Sequence, residues 1–137
     1  MAIFLDTGIL VGMHNNSDSL HAAAKNIFRR IAAGEFGNAY TSDYVIDEGT
    51  AVTYARTKSR NQSKSLLTTC LKSSGVFEIL SVGSTGFKET AQEYLKQPEL
   101  SFTDCSNLIL MRQNGIRNIA TFDSGFKRIP DIRVINE

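Results

Sequence analysis

The chain reads as an α/β protein whose parallel sheet is covered by helices on both faces. Three observations predict this. The first residues, Ala2 to Leu5, form an apolar run that stops at Asp6-Thr7-Gly8, as a short buried strand does. Runs rich in β-formers then alternate with amphipathic helical patterns to the end of the chain. No internal repeat, low-complexity segment or linker interrupts them, so residues 1–137 are expected to be one domain.

In order, Ile9 to Met13 predicts one or two helical turns, and Asn15 to Ser19 is polar and turn-like. Ser17 or Asp18 is placed to cap the next helix. There Leu20, Ala24, Ile27, Phe28 and Ile31 recur at helical spacing, and Gly34 and Gly37 end the pattern. Asn38 to Thr41 is a second strand. Ser42 or Asp43 caps a helix running to about Arg56, with an expected inward stripe of Tyr44, Val45, Glu48, Val52 and Ala55. After a polar junction at Ser59 to Ser63, Leu66, Leu67, Cys70 and Leu71 mark a helix closed by Gly75. Val76 to Val82 is rich in β-formers and predicts a third strand. Phe87, Ala91, Tyr94 and Leu95 mark a helix stopped by Pro98. Ser101 to Asn114 is the next helix, with Cys105, Leu108, Ile109 and Met111 inward, and Gly115 ends it. Asn118 to Phe122 is a fourth strand, Phe126 to Ile129 a short turn before Pro130, and Ile132 to Ile135 a last, edge strand.

Bulk composition narrows function only a little. With 42% apolar and 21% charged residues the chain can bury a core. A formal net charge of +1 names no partner, so any nucleic-acid contact must come from local clusters. The largest is Arg56, Lys58, Arg60 and Lys64, which reads as a solvated helix junction or as a set of RNA phosphate contacts. Cys70 and Cys105 form no CxxC pair and fall beside leucines, as buried free thiols of a reducing compartment do. There is no secretory apolar region and no run long enough to span a membrane, which predicts a cytoplasmic protein without a membrane association.

The acids carry the chemistry. Asp6 leaves the first strand, Asp123 leaves the fourth, and Asp104 follows Ser101 in the S-x-x-D form of a capping box. Each reads equally as a helix cap. Glu48 caps nothing, because it lies inside a helix on the expected apolar stripe. A buried carboxylate there needs an Arg or Lys, a raised pKa or a metal ion. In βαβ units strand ends and helix starts share one edge of the sheet, so Asp6, Glu48, Asp104 and Asp123 fall on that edge. A crevice opens between Asp6 and Asp123 if the strand order reverses between the first and fourth strands. Clustered carboxylates repel unless cations sit among them, and all-oxygen ligation selects hard ions such as Mg²⁺ or Mn²⁺. Zinc is disfavoured because His14 and His21 match no zinc spacing with the cysteines.

The pieces IFLDTG, YTSDYVIDE, LSFTDC at Leu100 to Cys105 and IATFD at Ile119 to Asp123 resemble PIN-domain ribonucleases, in particular VapC-type toxins of toxin–antitoxin pairs. The resemblance spans nearly the whole chain in the family's order. It implies a three-layer α/β/α sandwich with a five-stranded parallel sheet, usually a homodimer. It also implies Mg²⁺- or Mn²⁺-dependent cleavage of RNA, an antitoxin partner, and metal ligands at Asp6, Glu48, Asp104 and Asp123. Thr7 and Thr121 match small polar positions of the family, and Asn107 lies one helical turn after Asp104, where it faces the site or the helix surface. Gly8 departs from the family, whose members often carry Ser or Asn there.

Hydrolysis of a phosphodiester at such a site needs no Ser, His or Cys nucleophile, in keeping with the lack of any His-based triad pattern. Haloacid-dehalogenase-like phosphatases want a second Asp where Gly8 stands, and receiver domains want an acid where Val82-Gly83-Ser84 ends the third strand. The remaining rivals are a non-catalytic PIN-like module that binds RNA or a protein, and an RNA-processing nuclease without an antitoxin.

Overall fold

Ile3, Phe4 and Leu5 expose no surface to solvent, because the strand they form has a neighbour on each side and helices on each face. The computed structural model describes residues 1–137. Its strands are β1 (Ala2–Leu5), β2 (Asn38–Ser42), β3 (Glu78–Leu80), β4 (Asn118–Ala120) and β5 (Arg133–Ile135). They form one sheet in the order β3-β2-β1-β4-β5, with all pairs parallel. Phe4 registers with Tyr40 on one side and Ile119 on the other. This is the α/β architecture expected of a PIN domain, and β5 lies at an edge as predicted.

Helices α1 (Thr7–His14) and α2 (His21–Ala32) connect β1 to β2, and α3 (Asp43–Thr57) and α4 (Arg60–Leu71) connect β2 to β3. Helices α5 (Gly83–Lys96) and α6 (Phe102–Gln113) carry the chain back across the sheet from β3 to β4. Right-handed crossovers put α1 to α4 on one face and α5 and α6 on the other. Most helix contacts agree: α1 packs on α2 and α3, α3 on α4, and α5 on α6; α3 also meets α6, where Tyr44 stacks on Phe102. A short 3₁₀ turn at Ser124–Arg128 leads into β5. No helix is long and apolar enough to cross a membrane.

Three expectations are corrected. The third strand spans only Glu78–Leu80 because it is an edge strand with one neighbour; its first two residues are exposed. Neither Ser17 nor Asp18 caps α2, whose N-cap is Leu20; the Asp18 carboxylate instead accepts the Leu20 N–H at 2.8 Å and closes the turn. The buried residues of α3 are Val45, Ile46, Gly49 and Thr53, while Tyr44, Glu48 and Val52 are half-buried and Ala55 is exposed. The helix is rotated so that Gly49 meets α4: a Cβ there would stand 3.2 Å from Leu66 Cδ2. Glu48 therefore leaves the core and faces its edge.

Candidate active site

The strand order turns back at β1: the chain runs outward through β2 and β3, then returns to the far side of β1 as β4. Beyond the paired ends of β1 and β4 the chain leads to opposite sides of the sheet, toward β2 and toward β5, and a crevice of about 270 Å³ opens there. Asp6, Glu48, Asp104 and Asp123 all line it, although they come from four separate elements. Thr7, Gly8, Ser101, Phe122 and Arg56 complete most of the wall. A larger hollow of about 470 Å³ lies beside Asn38 and Gly75; its single ionisable side chain, Glu78, offers no comparable chemistry.

Asp6 is tied down on every side. Its N–H donates to the Ala120 carbonyl at 3.0 Å, which locks the end of β1 against β4. Its Oδ1 accepts the Thr7 N–H at 2.8 Å and the Asn107 Nδ2–H at 3.0 Å. Its Oδ2 accepts the Thr121 hydroxyl at 2.6 Å. Burial pushes the Asp6 carboxyl above its ordinary range, the Thr121 and Thr7 hydrogen bonds pull it back, and the charge of Glu48 adds to the upward push. Thr121 also accepts the Asp123 N–H at 3.1 Å, so one buried hydroxyl joins the ends of β1 and β4.

Asp104 is the third residue of α6 and completes a capping box. Its N–H donates to Ser101 Oγ, and its Oδ2 accepts the Ser101 N–H, both at 3.1 Å. Burial first, then the charges of Asp6 and Asp123, push its carboxyl up to about 6. Asp123 is exposed, and its Oδ1 accepts the Gly125 N–H at 2.8 Å. The cap reading and the crevice reading thus hold together for all three aspartates.

Oxygen is the only donor type the four acids offer, which suits a hard divalent ion in kind. The Thr7 hydroxyl and the Asn107 carbonyl are buried beside Asp6 without any hydrogen-bond partner. The side chains do not close a finished cage, for no three acids stand close enough to share one ion. Of the four basic candidates only Arg56 lines the crevice; Lys58, Arg60 and Lys64 are exposed outside it. Gly8 lies against Phe122: a Cβ would stand 3.3 Å from Cδ2 of its ring, so a side chain there would need the ring to shift by a few tenths of an ångström. Phe122, Ser101 and Asp18 were not singled out as site residues from sequence. Phe122 carried one signal, its place directly before Asp123.

The PIN domain family model matches residues 3–132. The chain belongs to the PIN-domain family. Among solved structures, this PIN domain is similar to Mycobacterium tuberculosis VapC20, a sarcin–ricin loop cleaving toxin, at 26% identity and a TM-score of 0.75. The match covers 96% of this chain and 98% of that one. It shares its fold with VapBC2 from Rickettsia felis, solved on a promoter DNA fragment, at 20% identity and a TM-score of 0.69, covering 98% and 97% of the two chains. DNA-bound VapBC from Salmonella typhimurium matches at 18% identity and a TM-score of 0.66, covering 98% and 96%. Curated proteins give no match to the PIN domain's sequence.

Proposed function

We propose that residues 1–137 act as one metal-dependent endoribonuclease domain, the toxin of a toxin–antitoxin pair, with Asp6, Glu48, Asp104 and Asp123 holding Mg²⁺ or Mn²⁺. The observation that carries this reading is the crevice itself: four carboxylates from four elements open on one cleft at the point where the sheet turns back. When bound, a divalent ion supplies Lewis acidity, which makes hydroxide available near neutral pH and offsets charge on the phosphate oxygens. The protein's part is to hold the donors in place. Thr121, Asn107 and the Thr7 N–H fix the Asp6 carboxylate, Ser101 fixes Asp104, and the Gly125 N–H fixes Asp123. Glu48, half-buried on α3, supplies the donor from the opposite wall.

The substrate and partners rest on similarity. A similar chain from Mycobacterium tuberculosis cleaves the sarcin–ricin loop, which supports RNA as the substrate. Two chains sharing the fold were solved as VapBC complexes, which supports a small antitoxin protein as partner. We further propose a homodimer acting in the cytoplasm. Phe87 and Tyr94, both about half-exposed, and Leu95, 85% exposed, offer an apolar surface around Phe102 for the second copy.

The test is cleavage of total RNA by the purified protein with Mn²⁺, followed by mapping of the cut sites. Asp104→Asn keeps an oxygen for the Ser101 N–H but removes the charge. It is expected to lower cleavage by more than about 100-fold, beyond the loss typical of an outer-shell partner, with an unchanged circular dichroism spectrum. Undiminished cleavage by this variant would overturn the assignment of the site, and a wild type that cleaves no RNA would favour a non-catalytic PIN-like module.

A further inference from the structure

Four carboxylates make the crevice wall acidic, yet a polyanionic backbone must enter it. Arg56 is the one basic residue among the 11 that line it. It sits on α3 with Glu48, two turns further along. An arginine on such a wall would be expected to neutralise the nearest acid of the four, but it does not. Its only ion pair is with Asp18, Nη1 to Oδ2 at 3.0 Å, outside the tetrad.

That pair is asymmetric. The Asp18 side chain is only 9% exposed, whereas the Arg56 side chain is 56% exposed. Asp18 is fixed by its own turn: Oδ1 accepts the Leu20 N–H at 2.8 Å, its N–H donates to the Asn15 carbonyl, and its carbonyl accepts the His21 N–H. A largely covered carboxylate, held by its own turn, thus anchors one nitrogen of a guanidinium whose other donors meet no protein acceptor. An exposed ion pair contributes little to stability, about 0–1 kcal/mol. A planar fork with free donors is, however, the shape that takes two oxygens of a phosphate.

We propose that Arg56 binds a backbone phosphate of the RNA next to the scissile one, and that Asp18 is the positioning residue that holds it ready. This rests on the nuclease reading above. Lys58, Arg60 and Lys64 lie outside the crevice and add only diffuse attraction.

The test uses the full chain carrying Asp104→Asn, so that substrate survives, and a fluorescein-labelled single-stranded RNA 20-mer of mixed sequence. Affinity is measured by polarisation across a salt series. Adding Arg56→Ala is expected to weaken binding about 10- to 100-fold and to lower the slope of log K against log salt by about 0.7. Arg56→Lys restores part of the affinity, Asp18→Asn gives an intermediate loss, and Arg112→Ala, which removes an equal charge outside the crevice, changes neither quantity. In the otherwise wild-type chain, Arg56→Ala raises KM and leaves kcat within about threefold. An Arg56→Ala chain with undiminished affinity and slope overturns the proposal. So does equal loss in Arg56→Ala and Arg56→Lys together with a lowered Tm, the mark of a merely structural pair. Wild type that binds this RNA but cleaves neither it nor total RNA with Mn²⁺ overturns the nuclease reading instead, and the salt series still decides the role of Arg56.

Discussion

One hydroxyl, that of Thr121, donates to Asp6 and accepts from the Asp123 N–H, so a single residue sets the spacing between two of the acids. Asp104 is held by Ser101 through both backbone and side chain, and its burial shows in its titration: the folded protein holds its proton up to about pH 6, against 3.8 for an ordinary aspartate. Between those values the folded chain binds a proton that the unfolded chain has released, so this group's contribution to stability falls as pH rises through the window and is gone above it. Without metal, the Tm of wild type is therefore expected to drop relative to that of Asp104→Asn from pH 4 to pH 6.5. A difference that stays flat across the range would refute the shift. The aspartates were legible because caps and ligands want the same positions, after strands and at helix starts. Asp18 and Phe122 were not, because only folding brings Phe122 to the crevice and Asp18 to the Arg56 side chain. Asn107 was legible halfway: its spacing from Asp104 allowed two faces, and packing chose the one that reaches Asp6.

Helix α3 carries both Glu48 and Arg56, so its placement decides the wall of the site. Its N-cap is Ser42, fully buried, whose Oγ accepts the Val45 N–H at 3.1 Å. Ser42→Ala is expected to cost about 1 kcal/mol, seen as a Tm lower by about 3–4 °C. Lys58 ends the helix in the left-handed region at φ 57° and turns the chain into α4. The sequence misleads about which face of α3 is inward, since a search for apolar spacing favours Tyr44, Val52 and Ala55. Close approach to α4 instead calls for a residue without a side chain, Gly49, and a buried Thr53 fills the next turn. Small and polar residues at a tight helix contact leave no hydrophobic trace. Glu48 was thus read as part of a core stripe, whereas only Val45 of that stripe is fully buried and Tyr44, Glu48 and Val52 form its half-buried border.

At the scale of the molecule, the sheet order puts the first strand in the middle and gathers the acids at one divergence. The parallel sheet and the shared edge of the acids were legible from alternating elements and from acids at strand exits; the strand order was not, because it depends on long-range pairing, nor was the shortness of edge strand β3, because β-formers also fill the loop before it. Binding of a divalent ion by the folded chain alone raises its stability, by about 2.7 kcal/mol at 100 times Kd. A Mn²⁺ titration is therefore expected to raise Tm in wild type and to leave Asp6→Asn nearly unchanged; equal responses would place the ion elsewhere. The central strand also sets a schedule. Asp6 leaves the ribosome early, but the groups that hold its carboxylate are Asn107 and Thr121, separated from it by 101 and 115 residues. At roughly 5–20 residues per second, the gap is on the order of ten seconds. On the function proposed above, a nascent chain would spend that time next to abundant RNA with its carboxylates unassembled, and would become a nuclease only as synthesis closes, when the proposed antitoxin could meet it.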